Sequence, residues 1–234
     1  MPSLRRQLLA IFLRRKFRPW ALLTPILVLL VALPLLRPLR SPGGAAPSEA
    51  MLLDTVRSLS TRGSLALDPL KWADQPGTVR TANGRIYPDR PPTFAVLLAG
   101  PAWAMDKAGL RFDNDESIVA YLLTLIGTTV PVAVGASVFY RMGRLFELSR
   151  PRRAALAMLV AFGSGWISYA TVLNPHAPAA AALMCACACL LWLAAAKRSI
   201  QALPITLLAG LLCATAAAAS PWTLPLVLPL PLVL

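Results

Sequence analysis

Residues 117–140 read SIVAYLLTLIGTTVPVAVGASVFY, a run without one charged side chain. A helix needs roughly 20 residues to cross the ~30 Å hydrocarbon core of a bilayer. This run is long enough, and it is apolar on every face, where a helix at the surface of a soluble core would carry a polar stripe. Similar runs flank it. Residues 20–36, 154–173 and 177–196 read as spans, 203–219 sits at the lower limit of length, and 222–234 starts another that is still apolar where the sequence stops. The expected fold is all-α, a multi-spanning helical membrane protein, with this chain the N-terminal part of a longer one. One further run, 93–105, is too short to cross and contains Pro101, which suits a re-entrant or interfacial helix.

Composition agrees. Apolar residues make up 57% of the chain and charged residues 14%, and the charges are gathered in blocks between the apolar runs. The net charge of +13 raises the question of nucleic acid. No basic patch sits beside an aromatic-studded sheet or a soluble domain, so a nucleic-acid partner is not expected. Cys185, Cys187, Cys189 and Cys213 all fall inside apolar runs, with no ligand partner at zinc spacing, and read as small buried residues.

The position of the charges orients the chain. Lys and Arg collect in short cytoplasmic loops, while acids matter little. With 93–105 not crossing, the inner pieces are 1–19, 141–153 and 197–202. They hold Arg5, Arg6, Arg14, Arg15, Lys16, Arg18, Arg141, Arg144, Arg150, Arg152, Arg153, Lys197 and Arg198 against one acid, Glu147. Segment 37–116 holds 10 basic and 9 acidic residues and is nearly neutral. Letting 93–105 cross would move the five arginines of 141–153 outside. The expected arrangement is a multi-pass protein of the inner (plasma) membrane with its N-terminus in the cytoplasm and 37–116 outside. Trp20 and Tyr140 then fall at inner ends of spans, and Tyr121, Tyr169 and Trp222 near outer ends. The basic N-terminus and first run read as an uncleaved anchor, since Pro25, Pro34 and Arg37 do not suit a cleaved signal.

The outer segment opens with a linker of breakers, RPLRSPGGAAP. A helix is expected over 48–61, with Ser48 as N-cap, Gly63 beyond its end, and Leu52, Val56 and Leu59 at helical spacing. It should lie on the membrane or pack across the spans. Glu49 falls in its first turn, where the helix dipole favours the carboxylate. Asn83-Gly84 signals a turn, with Arg85, Ile86 and Tyr87 as a short extended arm. Arg90 precedes Pro91-Pro92 at the entry to the 93–105 helix.

This order of features resembles a family. A first span, an outer loop that opens with an acidic residue on a short helix, a G-x-x-Y-x-x-R-P-P element (Gly84, Tyr87, Arg90, Pro91, Pro92), and spans joined by an arginine-rich turn resemble the GT-C class of polyprenyl-phosphate-dependent glycosyltransferases. Within that class it resembles the bacterial aminoarabinose and mannosyl transferases. The resemblance covers about 45–219. It departs at Ser48, where the family's first acid is usual, and leaves Glu49 as the acidic candidate. It implies transfer of a sugar from a polyprenyl-phosphate donor to an unidentified glycan, lipid or protein acceptor on the outer face. Glu49 would be the catalytic base, with Arg90 and Arg85 on the phosphate and Tyr87 lining the sugar pocket. His176, at the outer start of a span in LNPHAPAA, would be a further binding residue. The cofactor stays open between none and a divalent metal, and no metal ligands are assigned.

Plainer readings stand beside these. Glu49 is also an ordinary first-turn acid, Arg90 a headgroup anchor, and His176 a helix-start residue at headgroup level. Gly163-Ser164-Gly165 resembles a nucleophile elbow only in spelling, because no strand precedes it, and reads as small-residue packing. The alternative function is a non-enzymatic transporter or lipid-handling membrane protein. Transporters carry charged residues within spans and paired broken helices, and the spans here carry almost no ionisable residue.

Overall fold

The structure, a computed structural model, describes residues 19–36, 47–68, 75–195 and 202–228. The basic tail expected inside, the breaker-rich linker, the Lys197-Arg198 pair and the end of the last apolar run lie outside these residues.

The chain is mostly helical. Helix α1 (Pro19–Leu35) contains Pro25 and Pro34 and is shorter than the later spans. Thr24, Val28, Ala32 and Leu36 are buried at four-residue intervals, while Leu22, Ile26 and Leu30 on other faces are exposed. That spacing is one stripe of a helix, and its small residues let α1 approach the long helix that follows. Helix α2 (Pro47–Arg62) ends as expected before Gly63, whose φ of 63° suits a residue without a Cβ.

The arm at 85–87 is one half of a hairpin. Strand β2 (Ile86–Pro88) pairs antiparallel with β1 (Thr78–Arg80), with Val79 opposite Tyr87. The turn between them places Gly84 at φ 77°, as Asn-Gly suggests. Strand β1 carries Thr-Val-Arg and lies among turn formers, so nothing in its pattern set it apart.

Helix α3 (Thr93–Lys107) is followed by a turn at Gly109 (φ 94°) and by α4 (Phe112–Met142). Helix α4 is 31 residues long, about 46 Å at 1.5 Å per residue. Asp115 kinks its start, and Leu125–Thr129 widen into a π-helical turn. Gly127 in that turn lies against Phe94 and Leu98; a Cβ there would stand 2.7 Å from Leu98 Cδ2. Helix α3 therefore leans back along the first half of α4. Helix α2 joins them: Leu53 and Val56 form one core with Phe94, Leu98, Phe112 and Leu123. The stripe expected on α2 is shifted. Leu52 is only partly buried, because the helix is held on two sides, by α3 through Leu53 and Val56 and by the hairpin through Met51, Leu67 and Ile86.

The run 154–173, expected as one span, is not one helix. Helix α5 (Arg150–Met158) passes into a π turn (Leu159–Gly163), breaks at Ser164 and Gly165 (φ 76°), and resumes as α6 (Trp166–Ala170). No atom lies within 4 Å of where a Gly165 Cβ would stand. The Gly-Ser-Gly sequence thus makes a backbone break, and the expectation of small-residue packing is corrected at Gly165. The short α6 ends on neighbouring donors: Thr128 and Thr129 of α4's π turn donate to the Ala170 carbonyl, at its last residue, at 3.2 and 2.8 Å. Broken helices persist in an apolar setting only where neighbours supply such partners.

Helices α7 (His176–Ala195) and α8 (Ala202–Ala219) pack antiparallel through Ala179, Ala216 and Ala219. The chain continues through a 3-10 turn (Pro221–Thr223) and a single turn α9 (Leu224–Val227). Three helices, α4, α7 and α8, are long and apolar enough to cross a membrane.

Candidate functional site

The first turn of α2 and the loop before α7 meet at Glu49. The N–H of Leu173 donates to Glu49 Oε1 at 2.9 Å, while among the described residues no hydrogen bond reaches Oε2. Leu173 is buried in the core shared by α2, α3 and α4, so its amide is held firmly against the half-buried carboxylate.

The loop is braced from within. Asn174 Nδ2 donates to the carbonyls of Tyr169 and Val172 at 2.6 and 2.9 Å. Its Oδ1 accepts from the N–H groups of His176 and Ala177, each at 3.0 Å. The asparagine thus caps α7, whose first amides have no partner inside the helix. His176 is exposed, with Nδ1 3.0 Å from Ser220 Oγ. Ser220 is itself buried, so the histidine ring is tied to the end of α8.

The hairpin approaches from the other side. A Cβ on Gly77 would stand 3.5 Å from Asp89 Oδ1 and 3.6 Å from Met51 Cε. The hairpin base therefore sits over the first turns of α2, two residues from Glu49. Arg90 follows Asp89 and is exposed; Tyr87 is half-buried in β2; Arg85 is exposed at the turn end, away from the base. Among the described residues neither Arg85 nor Arg90 makes an ion pair or a side-chain hydrogen bond, and no ion pair joins Arg90 to Glu49. The ion pair of Arg57 with Asp113 instead ties α2 to the start of α4. Both partners are exposed, so it contributes little to stability.

The fold thus brings Glu49 and the His176 loop together and sets the hairpin base beside them, while Arg85 stands apart. An open cavity of about 320 Å³ lies beside the loop, with Ser164, Trp166, Tyr169 and His176 on its wall. Asn174, Ser220, Thr128 and Thr129 escaped the sequence reading. Only Asn174 carried a signal, as Asn-Pro just before an apolar run. Among the described residues no group of three His, Cys, Asp or Glu could hold a metal ion.

Comparison with family models, with curated proteins and with solved structures returned no match to this chain.

Proposed function

We propose that the chain forms part of a membrane glycosyltransferase of the GT-C kind, which moves a sugar from a polyprenyl-phosphate donor to an acceptor hydroxyl. The observation that supports this best is the carboxylate of Glu49. One oxygen is anchored by the Leu173 amide and the other is unengaged among the described residues, the arrangement a general base requires: a fixed orientation and a free lone pair.

The reaction is a displacement at the anomeric carbon. The acceptor oxygen bonds to that carbon as the bond to the phosphate oxygen breaks, the electron pair leaves with the polyprenyl phosphate, and the acceptor proton passes to Glu49 Oε2. Charge growing on the phosphate needs a cation, and Arg90 supplies a planar two-pronged donor with no competing partner among the described residues. Tyr87 borders the donor sugar, Arg85 receives the outer part of the donor, and His176 flanks the acceptor. The charge distribution of the loops supports placing this chemistry on the outer face of the plasma membrane.

The test uses the full-length protein with a polyprenyl-phosphate sugar. Glu49→Gln keeps the acceptor for Leu173 and removes the base, so transfer should fall by about 10² to 10⁴ while donor binding is retained. Arg90→Ala should weaken binding of polyprenyl phosphate itself. Wild-type transfer by the Gln variant would overturn the proposal.

A further inference from the structure

The other end of α4 holds an arrangement that the transfer reading does not use. Arg153, in the first turn of α5, is only 6% exposed. Its stem passes over Gly143, where a Cβ would stand 2.9 Å from Arg153 Cγ, so only glycine leaves it room. Its guanidinium carbon lies 5.0 Å from the centre of the Tyr140 ring, and Tyr140 is itself buried. The aromatic face offsets part of the charge. Among the described residues, Arg153 Nε and Nη1 are buried without a hydrogen-bond partner.

The surroundings deepen the deficit. Arg141, Arg144, Arg150 and Arg152 lie within twelve positions of Arg153, with Glu147 as the one acid of the turn. Among the described residues no carboxylate pairs with Arg153. Ser149, at the N-cap of α5, makes no side-chain hydrogen bond to the helix; Pro151 has no N–H and the Arg153 amide is bonded to the Ser149 carbonyl, so the Arg150 and Arg152 amides are the open donors, at the positive end of the helix dipole. A buried guanidinium without an anion is among the costliest states for a charged side chain. An arginine fork carried on the same first turn as open helix amides is the donor set that a phosphate completes.

We propose that the turn between α4 and α5 binds a phosphate oxyanion, held by the Arg153 fork and the N-terminal amides of α5, with the exposed Arg150 and Arg152 at its rim. Two sources share this chemistry, the headgroup of an anionic lipid and free phosphate. The site lies at the opposite end of α4 from the core that joins Phe112 and Leu173, and it stands whether or not Glu49 is a base.

The experiment uses the full chain in nanodiscs of phosphatidylcholine, with phosphatidylglycerol titrated in one arm and inorganic phosphate in the other. Retained lipid is counted by native mass spectrometry, and thermal unfolding is followed in parallel. Phosphatidylglycerol should be retained about tenfold or more over phosphatidylcholine and should raise the unfolding midpoint, and Arg153→Lys, which keeps the charge but loses the fork, should abolish most of that preference. The paired Arg150→Met and Arg152→Met changes, at exposed positions that leave the fold intact, should reduce it several-fold. Arg80→Met, which removes one charge from the hairpin, should change nothing. A midpoint raised by inorganic phosphate alone and lost in Arg153→Lys identifies free phosphate as the ligand and supports the site. No response to either ligand, or an equal loss in Arg80→Met, overturns it.

Discussion

Glu49 was legible as an acid in the first turn of a helix, because an apolar period and a terminal glycine mark α2 in the sequence, although Ser48, expected as its cap, lies inside the helix. Its partner was not. The Leu173 N–H is a backbone donor 124 residues away, and an amide leaves no trace in residue type. The consequence is measurable without any substrate. Glu49→Ala removes the acceptor of a partly buried, charge-assisted bond, worth about 1 kcal/mol in a half-exposed setting. Hydrogen exchange at the Leu173 amide should quicken in the Ala variant and stay near wild type in Glu49→Gln. Equal protection in all three would show that burial alone holds the loop. The hairpin residues divide in the same way. Asn83-Gly84 announced the turn, while the approach of Gly77 and Asp89 to Met51 depends on how the hairpin docks and is invisible in a linear pattern.

The long uncharged runs at 117–140, 177–196 and 203–219 are helices because an apolar chain must satisfy its own backbone, and that rule reads directly from composition. It also misled at 154–173, where hydropathy is continuous but Gly165 adopts a left-handed conformation. A break costs little hydropathy, so a window average passes over it. Packing gives this part of the bundle a sharp test. A Cβ on Gly135 would meet Trp166 Cη2 at 2.6 Å and the Ala181 Cα at 3.3 Å, so Gly135→Ala must part α4 from α6 or α7 and should cost about 1–3 kcal/mol. Gly165→Ala meets no neighbour and carries only the conformational penalty, about 1 kcal/mol. Thermal unfolding in detergent should therefore rank Gly135→Ala as the more damaging change. The reverse order would mean that the break, rather than the α4 contact, limits stability.

At the scale of the whole molecule, the arginines among the described residues fall into two main groups. Those of the loop between α4 and α5 lie at one end of the long helix, and the hairpin and α2 lie at the other, as the shared core of Leu53, Phe112 and Leu173 requires. The proposed topology puts Glu147 inside and Gln75 outside, and both are exposed. With the four native cysteines replaced, a membrane-impermeant thiol reagent applied from outside should label Gln75→Cys and spare Glu147→Cys; the opposite pattern would invert every span. The contact between Glu49 and Leu173 has one more consequence, in time. A ribosome adds roughly 5–20 residues per second, so the carboxylate waits on the order of ten seconds for its amide. Thr128 and Thr129 are already made when the Ala170 carbonyl emerges, and the broken helix finds its donors at once. Biogenesis therefore runs in two stages: the scaffold closes as it is translated, and the carboxylate stays unclaimed until the sixth helix has been delivered.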